Sequence, residues 1–195
     1  MKLTRCDNYK VTVPEGRSGN WAVERFAVSE EDAAFTRIRQ AATQGRERAV
    51  PAGAYTRLML GGEVVMSDTP AEIQDHLEFI NRARGRVLVH GLGLGVCLAA
   101  ALRKPEVDHV TVVEKSSDVL KLVAPHYRAQ HNGRLTIIKG DAFCWTPPRG
   151  SRWNVVWHDV WNTICGDNLD DMRALKARFR KRCHWQGCWS EEWLR

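Results

Sequence analysis

An α/β fold with a doubly wound, mostly parallel sheet is predicted by three features of this 195-residue chain. From residue 86 onward, short β-branched runs alternate with helical stretches. The segment VLVHGLGLGVCLAAAL, residues 87–102, carries a strand through three glycines into an alanine-rich helix. Acidic residues then stand at the ends of successive strands. Short apolar strands separated by helices read as parallel strands covered on both faces.

Taken in order, the N-terminus MKLTRCDNYKVTVPEG lacks the continuous apolar block of a secretory signal. Ser29 followed by Glu30, Glu31 and Asp32 reads as a helix N-cap with an acidic first turn, and Gly45 closes that helix. YTRLMLGGEVVM, residues 55–66, places Gly61-Gly62 between two apolar runs, a hairpin signal. Pro70 opens a helix running to about Arg82. Residues 1–84 are therefore expected to form a small N-terminal α+β appendage, and residues 85–195 a Rossmann-like cofactor-binding core. In that core RVLVH, VTVVE, LTIIK and WNVVWHD read as strands, with helices at VCLAAALRK and SSDVLKLVAPHY. A last helix is expected over 169–182, followed by HWQGCW as a short fifth strand.

Hydrophobic residues at 44% and charged residues at 27% fit a globular protein, and no run approaches the roughly 18 apolar residues of a membrane helix. A cytoplasmic setting without membrane contact is the expectation. Cys6, Cys97, Cys144, Cys165, Cys183 and Cys188 contain no CxxC pair, which argues for reduced thiols. Cys183, His184 and Cys188 lie close in sequence, but no second ligand cluster has the usual spacing, so no metal site is expected. The net charge of +6 permits an anionic partner. Much of it sits in RALKARFRKR, residues 173–182, which could contact nucleic-acid phosphates or be a solvated helix end.

Ligands of a doubly wound sheet bind at the carboxyl ends of its strands. Gly91, Gly93 and Gly95 occupy the first strand-to-helix turn, where glycine lets backbone approach a ligand. Glu114 ends the next strand, placed to accept hydrogen bonds from ribose hydroxyls. The order GxGxG departs from the dinucleotide pattern GxGxxG, whose third glycine would fall at Val96, so a nucleoside with a charged amino-acid tail suits the turn better. Asp141, in GDA after LTIIK, can accept from an adenine amino group. Asp159 follows the strand NVVWH and reaches the same rim, beside Trp157, His158 and Trp161.

These motifs make the chain resemble the class I S-adenosylmethionine-dependent methyltransferases, and within them the spermidine synthase-like branch, over roughly residues 55–165. VLVHGLGLG, VTVVEK, KGDAF and NVVWHD are similar to the four successive family motifs, and PAEIQDH to the segment upstream, with His76 at a matching histidine. The resemblance implies S-adenosyl-L-methionine as cofactor, held by Gly91, Leu92, Gly93, Gly95, Glu114, Lys115, Asp141 and Ala142. Asp159 would be the catalytic carboxylate, accepting a proton or orienting the nucleophile. His76, His158, Trp161 and Asn162 would line the acceptor side, with Trp161 stacking on a planar or cationic group.

Several positions depart from the family pattern. Leu94 and Asn162 stand where aminopropyl transferases carry acids, and a polyamine needs several carboxylates to replace its hydration. Val89 stands where many methyltransferases have an acid. Relative to the methyltransferase type the sheet is expected to be C-terminally shortened, leaving an edge that invites pairing with a second copy. The leading expectation is methyl transfer to an acceptor that the sequence does not name. Alternatives are aminopropyl transfer from the decarboxylated cofactor, and a non-catalytic binding protein of the same fold.

Overall fold

A computed structural model describes residues 9–44, 48–131 and 133–194. Cys6 and the helix-closing Gly45 of the sequence reading lie outside these. The N-terminal part contains more strand than expected. Strands β1 (Gly16–Ser18), β2 (Trp21–Val28), β3 (Gly53–Leu60) and β4 (Glu63–Ser67) form one antiparallel sheet in that order, where only the β3–β4 hairpin was anticipated. The sequence WAVERFAV hides β2 because Glu24 and Arg25 interrupt its apolar run; Glu24 is drawn to the charges of neighbouring strands, 3.0 Å from Arg57 and 2.8 Å from Arg17. Between β2 and β3, helix α1 (Glu30–Ala42) begins as expected, the Ser29 hydroxyl accepting from the Asp32 N–H at 3.1 Å.

The helix expected from Pro70 to Arg82 is two helices, α2 (Pro70–Asp75) and α3 (Leu77–Arg82), broken at His76. The His76 N–H turns to the Ile73 carbonyl in a tightened last turn, and its ring is buried edge-on to Trp157. Burial of that ring, which the helical periodicity does not report, sets the break.

The second sheet is wholly parallel, with β5 (Gly85–His90) at its centre, β6 (Val107–Glu114) and β7 (Leu135–Lys139) on one side, and β8 (Trp153–His158) and β9 (Cys183–Cys188) on the other. The order β7-β6-β5-β8-β9 reverses direction beside β5, which makes the carboxyl ends of β5 and β8 the switch point where such sheets bind ligands. Helices α4 (Val96–Leu102) and α5 (Ser117–Gln130) supply the connections on one flank. Helix α6 (Asn168–Phe179) joins β8 to β9 and ends three residues before the expected 182.

The period-two alternation of strand side chains sorts the core into two layers. Val87, Val89, Val155 and Trp157 face α3 and α4, in a cluster that continues without interruption through Phe79 and Ile73 to Leu58, Val23 and Val13 of the antiparallel part. Leu88, Val156 and Trp153 face the other way, onto Phe179 of α6. No helix among the described residues is long and apolar enough to cross a membrane.

Candidate functional site

At the carboxyl ends of β5 to β8 lies a cavity of about 470 Å³, within the range that holds cofactor-sized ligands. Gly91, Gly93, Glu114, Lys115, Asp141, Ala142, Asp159, Trp161, Asn162 and His76 all border it, so the structure gathers most of the residues singled out from sequence.

The glycine turn is shaped by the protein's own neighbours. Gly91 has φ +92°, and a Cβ there would run into the carbonyl oxygen of Asp159. The two strand ends therefore approach each other as closely as backbone allows, and Asp159 comes to the first turn. Gly93 abuts the thioether of Met66, which also receives the Leu94 N–H at 3.1 Å. Gly95 does not reach the cavity: at φ +78° it begins α4 with a Cβ position filled by the Tyr127 ring, whose hydroxyl donates to the Leu94 carbonyl at 2.7 Å. Its role is packing. Leu92 is likewise buried, with only its N–H directed to the site.

Glu114, 8% exposed, accepts the Leu92 N–H at 2.7 Å on one oxygen and the Ser116 N–H at 2.6 Å on the other. One carboxylate thus ties the first and second strand-to-helix turns together. Each oxygen has two acceptor sites, so lone pairs remain for hydroxyl donors in the cavity. Asp141 accepts the Phe143 N–H at 3.0 Å and pairs at 2.8 Å with Lys115, whose hydrogen bond holds the carboxyl below its ordinary value. This pair forms one lip of the opening.

Asp159 occupies the opposite wall. Burial, with the carboxylates of Glu72 and Glu114 adding repulsion, pushes its pKa up to about 7. Glu72 itself, held by the Ser67 N–H at 2.7 Å, is pushed up by burial to about 7. The sequence reading missed Glu72. Glu72 stands in the first turn of α2, where an acidic residue is expected at a helix N-terminus, and that position masks a carboxylate facing the cavity. Trp21, Met66, Phe143 and Trp189 also line the wall without having been singled out; Trp21 and Met66 belong to the antiparallel sheet, whose placement over the turn was not legible.

His158 does not line the cavity. Strand alternation sends it to the α6 side of β8, where it is 0% exposed and meets His90, while Trp157 points the other way and stacks between Phe79 and Trp185. Trp161 stays on the rim, its indole N–H 3.4 Å from Asp171. The basic run 173–182 is largely engaged within the chain: Lys176 pairs with Glu191 at 2.9 Å, Arg173 with Asp170 at 2.8 Å, and Arg178 and Arg182 donate to the carbonyls of Trp145 and Ser151.

No family model matches the chain, and a search of curated proteins returns no match. Among solved structures the chain is similar to a proposed RNA methyltransferase from Pyrococcus horikoshii, with TM-score 0.46 and 16% identity over 61% of this chain and 56% of that one. It is similar also to the CcbJ methyltransferase from Streptomyces caelestis, with TM-score 0.44 and 21% identity over 57% and 44%. A third is the glycopeptide N-methyltransferase MtfA complexed with (S)-adenosyl-L-methionine, with TM-score 0.43 and 23% identity over 57% and 45%. The chain spans about half the length of the solved structures it matches.

Proposed function

We propose that the protein is an S-adenosyl-L-methionine-dependent methyltransferase. The observation that carries this reading is the single cavity at the switch point, into which Glu114, Asp141 and Asp159 face from three successive strand ends beside Gly91 and Gly93. The donor set suits the cofactor: a carboxylate with free lone pairs for ribose hydroxyls, a second at the lip for the adenine edge, and an acidic interior that favours a cation in a chain of net charge +6.

When bound, the cofactor supplies an activated methyl group on a positively charged sulfonium. The chain's part is to hold and orient. Glu114 fixes the glycine turn and receives ribose hydroxyls; Asp141 and Lys115 close the adenine end; Trp161 and Trp189 exclude water from the acceptor side. Asp159, half-buried between the Gly91 turn and Glu72, accepts a proton from the acceptor nucleophile or orients it. His76 backs the same wall.

The finer placement in the spermidine synthase-like branch, and with it aminopropyl transfer, is the second reading, favoured by Glu72. It brings to the cavity a carboxylate of the kind that Leu94 and Asn162 do not supply. Calorimetric titration of the purified protein with S-adenosylmethionine, and separately with its decarboxylated form, decides between them. Methyl transfer predicts preference for the carboxylated cofactor; the opposite preference would move the reading to aminopropyl transfer; binding of neither would remove both.

A further inference from the structure

Under the acceptor wall, three side chains from three separate segments converge. His76 comes from the break between α2 and α3, Cys97 from the first turn of α4, and Asp159 from the end of β8. One donor atom of each lies within 4.8 Å of the others, and among the described residues this is the one such group of His, Cys and carboxylate side chains. His76 is 2% exposed, yet its Nδ1 has no hydrogen-bond partner. A buried ring nitrogen is normally matched by a donor or an acceptor. The side chains grouped with this ring are a thiol and a carboxylate.

We propose that His76 Nδ1, Cys97 Sγ and the Asp159 carboxylate form a binding site for a divalent cation of the zinc class, with a fourth coordination position open to the cavity. The donor set selects the metal: imidazole and thiolate are borderline to soft ligands, whereas magnesium and calcium take oxygen. Metal–ligand bonds of roughly 2.0–2.3 Å place tetrahedral donors on the order of 3.3–3.8 Å apart, so small side-chain rotations close the site. Three protein ligands with one open position is the arrangement of catalytic rather than structural zinc. His76 and Asp159 both border the cavity, so the open position faces its contents.

Metal entry forms the sulfur–metal bond and releases the Cys97 thiol proton to solvent; no group is oxidised or reduced. The fourth position takes an oxygen, nitrogen or sulfur atom, whose proton the cation makes more acidic. Asp159 then serves as a ligand, and activation of the acceptor passes to the metal. The site itself does not rest on the methyltransferase reading, because metal binding is measured without cofactor or acceptor; only the transfer of acceptor activation from Asp159 to the cation rests on it.

The test is a titration of the chelator-treated full chain with cobalt(II) chloride, followed by absorbance, with zinc chloride as competitor. The expected result is one cobalt per chain, a thiolate-to-cobalt charge-transfer band, and displacement by zinc. Cys97→Ser should abolish that band, while His76→Ala and Asp159→Asn should each weaken binding at least tenfold. Cys144→Ser, which changes an exposed thiol away from the cluster, should leave it unchanged. Each variant is checked for folding by circular dichroism, and the partly exposed Asp159 keeps the test decisive should Cys97→Ser fail to fold. A wild-type protein that binds no cobalt, a charge-transfer band that persists without Cys97, or a folded Asp159→Asn protein with unchanged affinity would each overturn the site.

Discussion

His90 and His158 face each other across β5 and β8 with their Nδ1 atoms 2.8 Å apart, both fully buried against Phe179. One ring donates and the other accepts, an arrangement open to two neutral imidazoles. Burial lowers both: His158 falls to about 4, with Gln186 opposing and Lys176 assisting, and His90 falls well below its ordinary value, with His158 and Arg178 adding to the effect. In the unfolded chain each titrates near 6.5. Stability contributed by the neutral pair is therefore whole above pH 6.5 and is lost as pH falls toward 4. The loss from His158 alone amounts to about 3 kcal/mol. Urea unfolding at pH 7.5, 6, 5 and 4.5 should show this slope, and a His90→Leu/His158→Leu double variant should flatten it.

Gly91→Ala combines a left-handed backbone with a collision against the Asp159 carbonyl. The expected destabilisation is about 3 kcal/mol or more, since neither strand end can retreat without breaking parallel pairing. Thermal melting by circular dichroism measures it. An alanine tolerated within 1 kcal/mol would mean that the two strand ends are not packed as described.

Removing the Glu114 carboxylate leaves the Leu92 and Ser116 N–H groups without their acceptors. Glu114→Ala should cost about 3 kcal/mol in stability and weaken S-adenosylmethionine binding by roughly 10- to 100-fold. Glu114→Gln should recover part of the stability but not the affinity, because its amide group turns a donor toward a backbone donor. Calorimetry on both variants separates architecture from recognition.

Glu72 gives a prediction of opposite sign. Its pKa rises from the ordinary carboxylate value to about 7, so the stability linked to its protonated form is whole below pH 4.5 and lost as pH rises through 7. Glu72→Gln keeps an acceptor for the Ser67 N–H. Above pH 8 it should stabilise the fold by up to about 3 kcal/mol while reducing turnover, and denaturation compared at pH 5 and pH 8.5 reads the difference.

The parallel sheet was legible because each strand is a short apolar run bounded by a helix signal. LTIIK matches its strand residue for residue, and HWQGCW falls almost entirely within β9. The acidic strand ends followed, since Glu114, Asp141 and Asp159 come where an apolar run stops. Features set by tertiary contact escaped. β2 carries charges in its middle, α2 and α3 are separated by burial of one imidazole, and Gly95 serves Tyr127, thirty-two positions away. His158 fell on the wrong side because proximity in sequence to Asp159 says nothing about which face a strand residue takes.

The hairpin of β3 and β4 shifts register between Leu58 and Met59, leaving Val65 as an extra residue opposite the pair Met59–Val64 and Leu58–Met66. A slip of one residue in a strand exchanges its two faces. That single extra residue decides whether the Met66 thioether reaches the glycine turn or points away from it. The hairpin is therefore constrained twice, in composition at its Gly61-Gly62 tip, where φ of +60° and +94° favours glycine, and in the length of β4. Insertions and deletions between Glu63 and Ser67 should be tolerated less well than same-length substitutions on the exposed face of β4.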